Sequence, residues 1–401
     1  MAFWRDRAGW VGALGYFVDT YDLVLFSVVR KASLTGLGVP DADQQRIGLE
    51  LLNWQMVGML LGGLFWGMLG DRLGRRSVLF ASTVIYSLAN LANAFLPSLE
   101  PYYWLRLVAG FGLAGELGAA VTLVSERLAP SQRGYGTMLV AGVGLAGAVV
   151  AALVGATIDW RAAYLIGGIL GGVLLFLRVG TPESGLFQNQ APSERAPFKL
   201  FLRPRTCWRL LACIFLAVPI WWVAAALVVL APELGQALQV PEGLQAPSAV
   251  FYLYAGATIG DFLVGALSQR LHSRRQAIFA SMICLALCSA AFLNLRGASA
   301  SLFYSLYFWL GVFTGFWSVF VTFTAEQFGT DLRATATTSA PNFVRAAVVP
   351  INLGLSSLHR LGWSVTAAAG GVGAVCFALS LLGLWVLPET FGRDLDFREA
   401  P

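Results

Sequence analysis

Charge is scarce in this chain. Asp, Glu, Lys and Arg make up 12% of its 401 residues, hydrophobic residues make up 57%, and the mean hydropathy is +0.69. A single soluble domain of this length has too little polar surface to cover so many apolar side chains, which excludes a soluble protein and leaves a polytopic membrane protein. Histidine is scarcer still: His272 and His359 are the two, both at loops. No apolar run holds a Ser/His, His/Glu or HExxH arrangement, which argues against an intramembrane enzyme. The five cysteines, Cys207, Cys213, Cys284, Cys288 and Cys376, fall in or beside apolar runs, which leaves none for disulfides in outer loops. Cys284 and Cys288 share a helix face but lack a nearby His or acidic partner, so they read as packing residues and no metal site is expected. The basic excess of +5 is spread over short loops rather than gathered in a patch, so no nucleic-acid partner is expected.

What is present is a succession of twelve apolar runs, each about 20 residues long, enough to cross a bilayer core as a helix. They lie at 9–29, 48–69, 77–96, 102–124, 136–157, 162–178, 210–231, 248–269, 277–295, 301–324, 335–357 and 364–387. The first contains Asp19 and Asp22 and is too long for the core of a cleaved leader, so it reads as retained transmembrane structure. Most Lys and Arg residues fall on one side of this series. The positive-inside rule assigns that side to the cytoplasm, which places both termini there and the chain in the cell (inner) membrane. Between Arg178 and Arg209 the text turns polar and basic, with four prolines and no apolar run. The expected division is therefore a six-helix bundle at 1–178, a cytoplasmic linker at 179–209 and a second bundle at 210–401. The predicted fold class is an all-α membrane protein of twelve transmembrane helices in two pseudo-symmetric six-helix bundles, an arrangement that permits alternating access by rocking.

An internal repeat supports the division. Gly67-Met-Leu-Gly-Asp-Arg-Leu-Gly-Arg-Arg76 joins the second and third runs, and a worn copy, Gly265-Ala-Leu-Ser-Gln-Arg-Leu-His-Ser-Arg-Arg275, joins the eighth and ninth. Glu126 and Arg133 are echoed by Glu326 and Arg333, and the spacing Gly58, Gly62, Gly67 by Gly256, Gly260, Gly265, as small-residue helix packing in lipid would require.

These residues resemble the major facilitator superfamily, whose loop signature between the second and third helices is matched by Gly67, Leu69, Gly70, Asp71, Arg72, Gly74, Arg75 and Arg76. The resemblance extends over Arg106-Leu-Val-Ala-Gly-Phe-Gly-Leu-Ala-Gly-Glu116, Trp160-Arg161, Thr181-Pro-Glu-Ser184 and Pro388-Glu-Thr390. Tyr21-Asp22, the Ala-Gly-Glu of span 4 and Pro341-Asn-Phe-Val-Arg345 are most similar to the metabolite:proton symporters and their aromatic-acid and sugar-porter relatives. The resemblance implies proton-coupled uptake of a small solute through a central cavity, driven by the proton gradient without a cofactor, by a monomer in the bilayer. It also implies that Asp22 accepts the proton with Arg106 as its partner. Asp71, Arg72, Arg75, Arg76, Glu126, Arg133, Glu326 and Arg333 would form a gate that latches the cytoplasmic face. Absences refine this picture: Gln269 stands where the second loop would carry its aspartate, span 7 lacks the paired glutamines of sugar porters, and span 5 lacks the Gly-Pro common in drug exporters.

Ionisable groups at bilayer depth are costly and therefore functional candidates: Asp19, Asp22, Arg106, Glu116, Asp261 and Arg345. Asp19 and Asp22 share one face of span 1, and two carboxylates so close suit proton exchange. Counting from helix ends puts Asp22 level with Arg106, and an ion pair between them is expected. Glu116 lies about 15 Å along the helix from Arg106, too far to pair with it, and is taken as a second proton stop or an inner-gate residue. Arg345, among Pro341, Asn342 and Pro350, is the candidate ligand for a carboxylate cargo, or else a partner for Asp261. Asn342, Trp221, Trp222, Tyr307, Trp317 and Asp261 complete the expected binding set. The leading reading is a proton-driven importer of a small organic anion. An exporter or uniporter would show flux insensitive to an inward proton gradient or driven outward by it, and a sensor would bind cargo without flux.

Overall fold

The structure is a computed structural model that describes residues 7–181, 183–188 and 203–399. Of the linker expected at 179–209, residues 182 and 189–202 lie outside the described residues.

Among the described residues, twelve helical rods of membrane-spanning scale follow one another. Eleven are long and apolar enough to be spans as they stand. They are α1 (Arg7–Gly36), α2 (Asp41–Leu73), α3 (Arg75–Ala94), α4 (Leu99–Arg127), α5 (Arg133–Thr157), α6 (Trp160–Arg178), α7 (Pro204–Val228), α8 (Ala246–Leu271), α9 (Arg274–Asn294), α10 (Ala300–Gln327) and α12 (Val365–Val386). The remaining rod, α11, comes in two segments, Arg333–Ala346 and Val348–Arg360. Pro350 cannot donate to the carbonyl of Ala346, and the helix breaks there instead of running through 335–357 as the sequence predicts. Pro219 lies inside α7 without ending it, and the last turns of that rod, Val223–Val228, open into a π-helix. Three helix starts are set by side-chain caps: Asp159, Ser273 and Ser364 accept the N–H groups of Arg161, Gln276 and Ala367.

The repeated glycines do two separate jobs. In the first half α2 and α4 cross at backbone contact, because a Cβ on Gly58 would strike the Leu107 carbonyl and one on Gly110 the Gln55 carbonyl. The second half repeats the crossing between α8 and α10, with Gly256 against Phe308 and Gly311 against Leu253. Gly67 and Gly265 face the opposite half, meeting Thr335 of α11 and Met138 of α5. One glycine row thus packs each half and also seats the halves on one another.

Three rods are interrupted where they approach the middle of the molecule. α4 pauses between Leu113 and Glu116, α10 between Thr314 and Trp317, and α11 at Ala347. The first and last described residues lie on one face, where Arg7 donates to the carbonyls of Leu177 and Val179 at the end of α6 and Glu399 pairs with Arg209 at 2.7 Å.

Candidate functional site: a central cavity and a latched face

Between the halves lies a cavity with about 540 Å³ free of protein atoms, its mouth included. α1 contributes Tyr16, Thr20, Leu23 and Val24, and α7 contributes Ile220, Trp221 and Ala224. α8 adds Leu253, Tyr254 and Ala257, α10 adds Thr314 and Trp317, α5 adds Leu145, and α11 adds Arg345. The wall is thus mainly apolar and aromatic, with one cation.

That cation is held across the interface. Arg345 Nη2 stands 3.5 Å from Asp19 Oδ2 and 3.4 Å from the Tyr16 hydroxyl, both on α1. Its Nη1 donates to Asn342 Oδ1 at 3.3 Å, and its Nε has no hydrogen-bond partner. The guanidinium lies 6.0 Å from the ring centres of both Tyr16 and Trp317, and Trp317 Nε1 donates to the Tyr16 hydroxyl at 3.1 Å. Both Asp19 oxygens are buried and accept no hydrogen bond. The Arg345–Asp19 contact is therefore an ion pair at the limit of contact distance, in a water-poor place, with donor capacity to spare.

Several sequence expectations are corrected here. Asp22 and Arg106 form no ion pair: Arg106 donates to Gln55 Oε1 and packs its guanidinium over Phe26, 4.3 Å from the ring centre. Asp22 faces α6, where Gly167 leaves room for its carboxylate. Counting along helices fixed their depth but not the direction in which each points. Arg345 does not pair with Asp261, which instead accepts the Ser318 N–H at 2.9 Å. Trp222 donates to the Ala369 carbonyl and packs against α12, and Tyr307 donates to the Leu227 carbonyl, so neither lines the cavity. Asn342 backs Arg345 from behind, anchored to the carbonyls of Ala114 and Thr338. Trp221 and Trp317 do stand in the wall.

Glu116 is engaged inside the first half. It pairs with Arg178 at the end of α6 and accepts from Thr83, and the two charged groups fill the space that a side chain at Gly15 would need. The sequence places Arg178 at the edge of the linker; its position as the last charge of an apolar run is the signal of its buried role. Tyr16, four residues before Thr20 and three before Asp19, shares their helix face, which could have marked it as wall.

The face bearing the first and last described residues is closed by a charged lattice. Asp71 accepts the N–H groups of Ala334 and Thr335 at 3.0 and 2.8 Å and the Thr335 hydroxyl at 2.6 Å, at the start of α11 in the other half. Glu126 receives Arg75 at 2.8 Å and Arg333 at 2.9 Å, one from each half. The second half repeats the pattern with Arg274 on Glu326 at 3.1 Å, but Gln269 accepts from Arg274 within its own half at 3.2 Å and reaches the other half through one bond, to the Ser131 carbonyl at 3.1 Å. Arg133 binds the carbonyls of Ser125 and Arg393. Arg72 and Arg76 are exposed and stand outside this lattice. Glu183 accepts the Arg76 N–H at the start of α3, and Glu389 accepts those of Arg274 and Arg275 at the start of α9. Burial pushes the Glu389 carboxyl up, but the Ser273 hydroxyl and the N–H groups of Arg274, Phe391 and Arg275 outweigh it and hold the group below the ordinary glutamate range. Among the described residues no group of three or more His, Cys, Asp and Glu could hold a metal ion.

Two halves around a buried, charge-bearing cavity, joined at one face by a charged lattice, have the architecture of a membrane transporter. The sequence profile of the Major Facilitator Superfamily matches residues 12–351, and the chain belongs to that family. Over 374 residues it is 25% identical to a provisionally assigned niacin/nicotinamide transporter of Bacillus subtilis, covering 88% of this chain and 89% of that one. It is 26% identical to a gentisate transporter of Corynebacterium glutamicum, covering 96% and 89%. The fold is similar to that of the proton:xylose symporter XylE, with a TM-score of 0.75 over 98% of both chains at 15% identity. The chain is thus a transporter of small organic solutes and not an enzyme.

Proposed function

We propose that the protein imports a small ring-bearing organic anion together with a proton, as a monomer in the cell membrane with both termini in the cytoplasm. The observation that carries this reading is the Arg345–Asp19 contact. Arg345 is a buried cation in an aromatic-walled cavity, and its one acidic partner among the described residues comes from the opposite half at 3.5 Å. An arriving carboxylate can take the guanidinium bidentately where Asp19 holds it loosely. The displaced Asp19 would then be a bare buried charge unless it took a proton. Arg345 with ionised Asp19 is charge-balanced, and so is Arg345 with a bound carboxylate beside protonated Asp19. Binding of either the anion or the proton alone leaves an unbalanced charge, which costs several kcal/mol in such a place. Coupling follows from that cost.

The rings of Tyr16, Trp221 and Trp317 suit a flat cargo, and two relatives carry names of ring compounds. The lattice of Asp71, Arg75, Glu126 and Arg333 serves as the cytoplasmic gate, closed here, while 1–178 and 210–401 rock about it as bodies tethered by 179–209. Asp22, Arg106 and Glu116 are the further proton-coupling candidates of the first half. The test is uptake of labelled gentisate and nicotinate into proteoliposomes by Arg345 variants. Arg345→Gln should lower uptake by about 100-fold and Arg345→Lys by about 10-fold, since Lys keeps the charge but loses the fork. Uptake by Arg345→Gln at the wild-type rate would sink the anion-ligand role.

A further inference from the structure

We infer that Asp261 is a positioning residue for cargo: from α8 it caps the second segment of α10 and so sets where Trp317 stands in the cavity wall. The inference rests on the reading of that cavity as the cargo site. α10 stops at Thr314 and restarts at Trp317, so the first N–H groups of the new segment lack partners within their own helix. Phe316, at the cap position, supplies no side-chain acceptor. Asp261 supplies one from the neighbouring helix: its Oδ1 accepts the Ser318 N–H at 2.9 Å, and the Ser318 hydroxyl donates back to the Asp261 carbonyl at 3.0 Å. A carboxyl group placed there also meets the positive end of the helix dipole. Trp317 is the first residue of the capped segment. It lines the cavity, bonds Tyr16 and stands beside Arg345, so a shift of the segment's start moves the ring that faces cargo.

The first half shows that the interruption needs no acid on the neighbouring helix: Glu116, which opens the restarted segment of α4, is taken up by Arg178 and Thr83. α4 breaks at the corresponding place over the same glycine crossing, yet Gly115 at its cap position provides no side-chain bond. The spacing Gly58, Gly62, Gly67 against Gly256, Gly260, Gly265 matches Asp261 with Gly63, which makes room for Asn342. Asp261 leaves its Oδ2 buried without a partner, and among the described residues it forms no ion pair. A carboxyl group at that depth, unneeded for the break and left half-satisfied, is accounted for by what it holds in place.

The experiment uses the full chain in nanodiscs labelled with 5-fluorotryptophan, the Trp317 fluorine resonance being assigned by its loss in Trp317→Phe. Asp261→Ala should shift or broaden that resonance and weaken gentisate binding by about tenfold, the scale of a lost cap. Asp261→Asn, which keeps an acceptor oxygen, should restore both. In a Trp317→Phe background, Asp261→Ala should weaken binding no further. An unmoved resonance in Asp261→Ala, an Asn variant as disturbed as the Ala variant, or additive losses in the double variant would each overturn the inference. Failure of the wild type to bind gentisate would overturn the ring-anion reading alone, and the resonance would still decide whether Asp261 sets the Trp317 segment.

Discussion

Arg345 and Asp19 are separated by 326 positions and by the boundary between the halves, yet they meet at the centre of the molecule. The rarity of charge made both visible in the sequence, because each ionisable group in an apolar run demands a reason. Rarity says nothing about the direction in which a side chain points. Asp22 and Arg106 do lie on neighbouring helices, but Phe26 and Gln55 take the arginine and Gly167 takes the aspartate's side. Neutral partners of this kind leave no mark in composition. At the membrane edge, Glu389 offers a clean test of one residue's linkage. Its folded carboxyl is held below its ordinary range, so its stabilising effect is fully present above the unfolded-state value near 4.5 and is lost as pH falls through the folded value. Glu389→Gln should therefore lower the thermal midpoint at pH 7, by on the order of 1 °C for so exposed a group, and the gap should close as the pH is brought below 4.5. Thermal unfolding in detergent across that range reads it directly, and a gap that persists in acid would contradict the assignment.

At the scale of elements, the glycines were the most legible feature and the helix breaks the least. The matched spacing in α2 and α8 announces close packing, and the structure assigns two glycines of each row to a crossing within the half and the third to the joint between halves. The interruptions of α4 and α10 could not be read off, because they arise where two backbones touch rather than from a local breaker; α11, with Pro350, could have been. Gly256→Val should abolish a monodisperse, folded preparation, since its side chain would enter the Phe308 carbonyl, a conflict beyond the 1–3 kcal/mol of ordinary overpacking. Gly172→Ala, where a new Cβ meets nothing within 4 Å, should behave as wild type in the same size-exclusion profile. Equal behaviour of the two variants would refute the packing role given to the crossing.

The whole molecule is a duplicated design whose halves have diverged where work is done. The charged lattice repeats as Arg75 on Glu126 and Arg274 on Glu326, but Asp71 grips the start of α11 with three bonds while Gln269 offers one to the facing loop. The cavity is similarly unequal: the acid comes from α1 and the cation from α11. That inequality makes the central claim testable in one assay. Purified protein is reconstituted into lightly buffered proteoliposomes, gentisate or nicotinate is added outside, and external pH and cargo uptake are followed together for the wild type and Asp19→Asn. The account predicts external alkalinisation in step with uptake for the wild type. Asp19→Asn should still exchange cargo across the membrane, but without proton movement and without accumulation against a gradient. Cargo entry with no proton movement in the wild type, or intact proton-coupled accumulation in Asp19→Asn, would contradict it.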